Sequence, residues 1–202
     1  MSTATDRRVL TEIFGPSEGA ARLVKQMVLV ALGVAALAIA AKIRVPMWPV
    51  PITMQTFAVL TIGAAYGARL GGVTLLAYLA LGALGMNVFT GTGEGASGLA
   101  YMAGPTGGYL LGFLLAAVAM GCLAQRGWDR SVATMAGALL IGNAIIYAVG
   151  LPWMAHLFAA EKGMAWVVQW GMTNFLLGDA LKLVLAALLI PAAWKLVGDA
   201  RR

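Results

Sequence analysis

Six runs of apolar residues divide this chain, at approximately 23–42, 52–68, 70–86, 104–124, 132–152 and 175–195. Each is near the roughly 20 residues that a helix needs to cross the hydrocarbon core of a bilayer. No water reaches that core, so backbone amides must be satisfied inside the segment, and runs this long read as helices. Composition agrees: of 202 residues 61% are hydrophobic and 11% charged, and mean hydropathy is +0.86. A soluble core of this size has no use for so much apolar surface. The expected fold is therefore an all-α membrane protein of six transmembrane helices. A polar arm at 1–22 precedes the membrane domain at 23–198, and a short tail follows at 199–202.

Positive charge fixes the expected orientation. With the N-terminus in the cytoplasm, that side receives Arg7, Arg8, Arg22, Lys25, Arg69, Arg126, Arg130, Lys195, Arg201 and Arg202. Lys42, Arg44, Lys162 and Lys182 fall on or near the other side, a ratio of 10 to 4. Such an excess marks the cytoplasmic face, so both termini are expected there. The net charge of +6 does not indicate a nucleic-acid partner, because no basic run is interleaved with aromatics. The first apolar run is too long for the apolar region of a cleaved signal peptide.

The second and third runs are short and separated only by Arg69 and the Gly71-Gly72 pair, which predicts a tight helical hairpin. Residues 44–51, "RVPMWPVP", hold three prolines and cannot be helical. Residues 87–103, "NVFTGTGEGASGLAYMA", form the most polar, glycine-rich loop of the chain. Within it "GEGASG" matches G-x-G-x-x-G, but it follows a membrane segment rather than a strand, which excludes dinucleotide binding. Gly91, Gly93 and Gly95 suit a loop that closes over a ligand.

Asp179 and Lys182 stand three residues apart near the start of the sixth run. Each charge at the centre of a spanning helix is unfavourable by about 2.5–3.5 kcal/mol, and intramembrane ionisable groups face a cavity or a partner. Two roles are open: a helix cap with Lys182 reaching to the surface, or a carboxylate and an ammonium that hold a ligand with N–H and C=O groups. Gln55, Asn87, Tyr101 and Asn143 add polar groups at membrane depth or beside the glycine loop, and each must find a hydrogen-bond partner or a ligand. Ala31/Ala35 and Ala36/Ala40 are small-x-x-x-small pairs, suited to close approach of another helix or of another subunit. No metal-ligating cluster and no phosphate-binding loop is expected.

Ser97 in "GASG" and His156 in "AHLF" together resemble the Ser/His dyad of rhomboid intramembrane proteases, an alternative class of function. A more specific resemblance runs through about residues 25–197. It rests on "VPITMQT" at 50–56, "GAAYGARLGG" at 63–72, "GLAYMAGPTGGYLLGF" at 98–113 and "GDALK" at 178–182. On these the chain resembles the BioY family, the biotin-specific substrate-binding components of energy-coupling-factor (ECF) transporters. The resemblance implies biotin as transported substrate, no cofactor and no catalysis. It also implies a transmembrane coupling subunit and a pair of cytoplasmic ATPases as partners, in the bacterial inner membrane. Asp179 and Lys182 then become the central ligand pair, Gln55 a second contact, the glycine loop a lid and the alanine pairs a docking surface.

Overall fold

The computed structural model describes residues 8–91 and 96–199. Among these residues eight α-helices follow one another: α1 (Leu10–Ile13), α2 (Gly19–Lys42), α3 (Gln55–Ala83), α4 (Gly98–Met102), α5 (Gly107–Ala124), α6 (Val132–Lys162), α7 (Met164–Gly171) and α8 (Leu176–Asp199). A two-residue antiparallel ladder of β1 (Arg44–Val45) and β2 (Ile52–Thr53) pairs Arg44 with Thr53 and Val45 with Ile52. It closes the proline-rich turn, whose Trp48-Pro49 peptide is cis. Among the described residues, five helical stretches are long and apolar enough to cross a membrane, the last one running from Met164 to Gly198 through α7 and α8.

The expected segments at 52–68 and 70–86 become the single stretch α3, three residues shorter at each outer end, which breaks once, at Gly67 (φ 78°, ψ 170°). Only glycine adopts that conformation without strain. On a straight helix Gln55 and Tyr78 would stand about 35 Å apart. Here Gln55 Nε2 donates to the Tyr78 hydroxyl at 2.7 Å, so the two limbs run antiparallel. A Cβ on Gly71 would lie 3.3 Å from the Gly63 Cα, which brings the limbs to backbone contact near the turn. Residues 55–66 and 68–83 measure about 18 Å and about 24 Å respectively.

Two segment ends differ from expectation. The run at 132–152 continues as helix to Lys162, straight through Pro152. Proline removes one amide donor, but the apolar and aromatic residues after it still pack, and the helix stops only at Gly163 (φ 81°). The arm at 1–22 is not wholly separate from the membrane domain. Val9 is fully buried against the Gly67 turn, Thr11 Oγ1 donates to the Ala65 carbonyl at 3.1 Å, and α2 begins already at Gly19.

Packing follows the glycines, as close approach of helices in lipid requires. α5 is the central helix: Gly63 of α3 faces the Ala117 carbonyl, and Gly112 of α5 faces the Ile146 backbone of α6. A Cβ on Gly121 would sit 2.1 Å from the Ala68 nitrogen, at the foot of the hairpin. Near that same end Asp129, buried, accepts from Trp194 Nε1 at 2.6 Å and faces Arg130 Nε at 3.3 Å. Burial pushes the Asp129 carboxyl above the usual carboxylate range, against the opposing pull of Trp194 and Arg130. The Arg130 guanidinium lies 3.5 Å over the Trp194 ring and also donates to the Arg8 carbonyl, tying the end of α8 to the arm.

The glycine contacts give a direct test. Gly121→Ala is expected to lower the thermal midpoint in detergent, since overpacking against immobile backbone destabilises by about 1–3 kcal/mol. Gly137→Ala, whose new methyl would meet nothing nearer than Trp128 Cζ3 at 3.6 Å, is expected to be neutral or stabilising.

Candidate ligand-binding site

Three helices bring their polar residues to one place. The turn Thr173–Phe175 ends α7's connection and starts α8, so Asp179 and Lys182 emerge from the first two turns of α8. Thr56 comes from the first turn of α3, immediately after the β2 strand that sets its entry. Tyr147 comes from the middle of α6.

Lys182 Nζ lies 3.0 Å from Asp179 Oδ1 and 3.0 Å from Thr56 Oγ1, and Thr56 Oγ1 is 3.4 Å from the same carboxylate oxygen. The Tyr147 hydroxyl donates to the other oxygen, Asp179 Oδ2. The side chains of Lys182 and Asp179 are only 11% and 8% exposed, so Lys182 turns inward and does not reach for a surface. All of Asp179's bonds are to side chains of the cluster rather than to the amides of its own helix. Of the two roles open on sequence, the geometry matches an inward-facing pair rather than a cap.

Taking two charges out of water is unfavourable by several kcal/mol each, and mutual pairing with added hydrogen bonds offsets it only when geometry is good. Here Thr56 and Tyr147 add hydrogen bonds to the pair, and both charges keep capacity for more. Lys182 has used two of its three N–H groups on Asp179 and Thr56, and a carboxylate offers about four acceptor positions.

Two hollows meet at this cluster, and Thr56, Asp179 and Lys182 line both. The larger is walled by Val50, Pro51 and Thr53 of the proline-turn region and by Tyr109, Phe113, Ile146, Tyr147 and Phe175. The smaller lies deeper among Phe57, Leu60, Leu139, Asn143, Leu183 and Ala186. Mostly apolar walls with a few convergent polar groups are the chemistry of small-molecule sites.

The other sequence candidates distribute differently. Asn143 lines the deeper hollow. Gln55 is not brought to either hollow. It is buried in the hairpin, bonded to Tyr78, whose hydroxyl continues to the Val88 carbonyl at 3.0 Å. Asn87 is exposed and accepts from Lys42 Nζ at 2.6 Å. Tyr101 stacks on Phe89 at 5.1 Å and covers Gly91, while Phe89 fills the space left by Gly82. Gly93 and Gly95 lie outside the described residues. Ala31, Ala35 and Ala36 are exposed on α2, whereas Ala40, about 40° round the helix from Ala36, lies across the boundary of the packed side and is buried in the core. Its burial keeps it out of a surface with the other three.

Thr56 and Tyr147 were not singled out from the sequence. Tyr147 follows Asn143 by four residues in an otherwise apolar run, which places both on one helix face. Thr56 adjoins Gln55, and one helical step turns it toward α8 instead of into the hairpin. The rhomboid-like alternative finds no support. Ser97 is exposed just before α4, His156 is exposed on α6 with its ring 6.5 Å from that of Trp153, and no hydrogen bond joins the two.

Comparison with known proteins gives a consistent result. The model of the BioY family matches residues 8–199. The biotin transporter BioY of Thermotoga maritima is 34% identical, over 82% of this chain and 93% of its own. The biotin transporter BioY of Rhizobium etli is 36% identical, over 70% and 76% respectively. The fold matches the crystal structure of the S-component for biotin from an ECF-type ABC transporter with a TM-score of 0.74, at 24% identity, covering 89% of this chain and 95% of that one. Sequence and fold converge: this multi-pass membrane protein belongs to the BioY family.

Proposed function

We propose that this chain binds biotin in the hollow beside Asp179 and Lys182 and imports it as the substrate-binding component of an ECF-type transporter. The observation that carries the reading is the buried Asp179–Lys182–Thr56–Tyr147 cluster at the meeting of two hollows, in a chain of the BioY family. Biotin carries a ureido ring with two N–H donors and one strong acceptor, and a carboxylate tail. Asp179 accepts from a ureido N–H, and the third N–H of Lys182 donates to the ureido carbonyl. The aromatic and aliphatic wall of the larger hollow takes the apolar remainder.

The chain crosses the bacterial inner membrane six times, the two limbs of α3 counting separately, with both termini in the cytoplasm. The excess of Lys and Arg supports this orientation, as does the fold-back at Gly67. The site then opens outward, and the Asp129–Trp194 end faces the cytoplasm. Family membership makes this a transporter rather than an enzyme. Hydrolysis that energises import belongs to partner ATPases, coupled through a transmembrane subunit. That subunit docks on α2, whose exposed face joins Ala31, Ala35 and Ala36 to Val28, Leu32 and Ile39. Small residues there permit close helix approach.

Calorimetric titration of the purified chain tests the site. Asp179→Asn and Lys182→Met are each expected to weaken biotin binding at least tenfold, about 1.4 kcal/mol or more. Both are also expected to lower the thermal midpoint, because each strands a buried partner. Wild-type affinity in both variants, on protein that elutes as one folded species, would refute the assignment.

A bulky residue on α2 separates docking from binding. Ala35→Trp is expected to retain wild-type biotin affinity while losing co-purification with the coupling subunit and ATP-driven uptake. Full uptake by Ala31→Trp and Ala35→Trp alike would place the docking surface elsewhere.

A further inference from the structure

We propose that Asn143 determines specificity at this site by accepting a second hydrogen bond from the ligand, so that the protein reads a donor–acceptor–donor edge. The inference rests on biotin being the ligand, and it adds a residue and a selection rule to that reading.

Its basis is an acceptor without a partner. Asn143 lies in the middle of α6, within "LLIGNAIIY", far from either helix end. Its Oδ1 is buried and makes no hydrogen bond. An amide at this depth ordinarily bonds to a neighbouring helix, since nothing else there can satisfy it. Asn143 instead lines the deeper hollow, the one whose polar wall is Asp179, Lys182 and Thr56. A buried acceptor left unsatisfied by the protein, on a residue that lines a hollow beside a ligand pair, is the group a ligand entering that hollow would satisfy.

Position supports the same conclusion. Asn143 precedes Tyr147 by four residues, about 6 Å along the axis of α6 and on the same face. Tyr147 reaches Asp179 Oδ2, so Asn143 lies one turn deeper than the carboxylate, at the level where Leu183 and Ala186 of α8 line the same hollow. Lys182 stands between these levels. Along this wall the groups follow in the order acceptor (Asp179), donor (Lys182), acceptor (Asn143). The complementary edge is N–H, C=O, N–H, which is the edge of a cyclic urea. A carbamate, an ester or a simple amide presents only part of it.

Selectivity follows from the unpaired state. A ligand with both N–H groups satisfies Asn143 on binding, whereas one lacking the second N–H leaves that oxygen buried and unpaired. Sites built to hydrogen-bond a particular N–H reject analogues without it far more strongly than apolar pockets reject a missing methylene.

The test is calorimetric titration of the full chain in detergent with biotin and with two biotin analogues, each methylated on a different ureido nitrogen. Asn143→Leu keeps the bulk and removes the amide. It is expected to weaken biotin at least tenfold, to leave one of the two methylated analogues at its wild-type affinity, and to keep or raise the ligand-free thermal midpoint, because an unpaired buried group is gone. Wild-type biotin affinity in Asn143→Leu overturns the inference while leaving biotin as the ligand. An equal loss for all three ligands also overturns it, since that is the mark of disturbed packing. Should Asn143→Leu fail to elute as a folded species, Asn143→Ala is read by the same criteria. Failure of the wild-type chain to bind biotin overturns the ligand reading itself, and this inference with it.

Discussion

The buried ion pair between Asp179 and Lys182 is the interaction on which the arrangement of the site depends. Neither charge is tolerable at this depth alone, and each is made tolerable by groups from other helices. Thr56 fixes α3 to α8 through both members of the pair, and Tyr147 fixes α6 to the carboxylate. Three segments distant in sequence are thus held in register by one small polar knot. Removing any member leaves a charge whose desolvation is no longer offset. The polar groups proposed to bind a ligand are therefore also those that hold the helices around it.

Around this knot the bundle is assembled by absence of side chains. Lipid gives helices no hydrophobic reason to associate with each other, so contact must come from close van der Waals fit. The glycines of α3 and α5 supply it by letting backbone meet backbone, at Gly63, Gly112 and Gly121. Larger groups then fill the matched spaces: Phe89 over Gly82, Tyr109 against Gly150. One consequence reaches the site. Tyr109 lines the larger hollow because Gly150 leaves room for its ring, while its hydroxyl donates to the Gly171 carbonyl at 2.8 Å and so holds the segment leading to α8.

Much of this was legible in the sequence where the signal was local or chemically extreme. Apolar runs near bilayer length announced the helices, and an Asp and a Lys three residues apart inside one of them announced a buried polar cluster. Gly67 was harder to place. It is one glycine among 26, and only the positive φ shows that the chain reverses there rather than at Arg69 or Gly71. Gln55 and Thr56 illustrate the limit more sharply. They are neighbours in one motif with similar polarity, and a single helical step sends one into the hairpin and the other to Asp179. Which way a side chain faces depends on the crossing of α3 and α8, a tertiary quantity with no local sequence signature. Ala40 was misplaced for the same reason: four-residue spacing groups it with Ala36, yet the two fall on opposite sides of the boundary between buried and open α2.

The fold-back of α3 has a consequence for the surrounding lipid. At about 18 Å and about 24 Å its limbs are shorter than a hydrocarbon core of about 30 Å, whereas the apolar run of α2 at 23–42 matches that core at about 30 Å. One protein thus presents two different thicknesses to its bilayer. Lipid beside the hairpin must thin or be replaced by packed protein, while lipid beside α2 need not adjust, so mismatch is unequal around the circumference. A thicker bilayer therefore loads the hairpin before it loads α2.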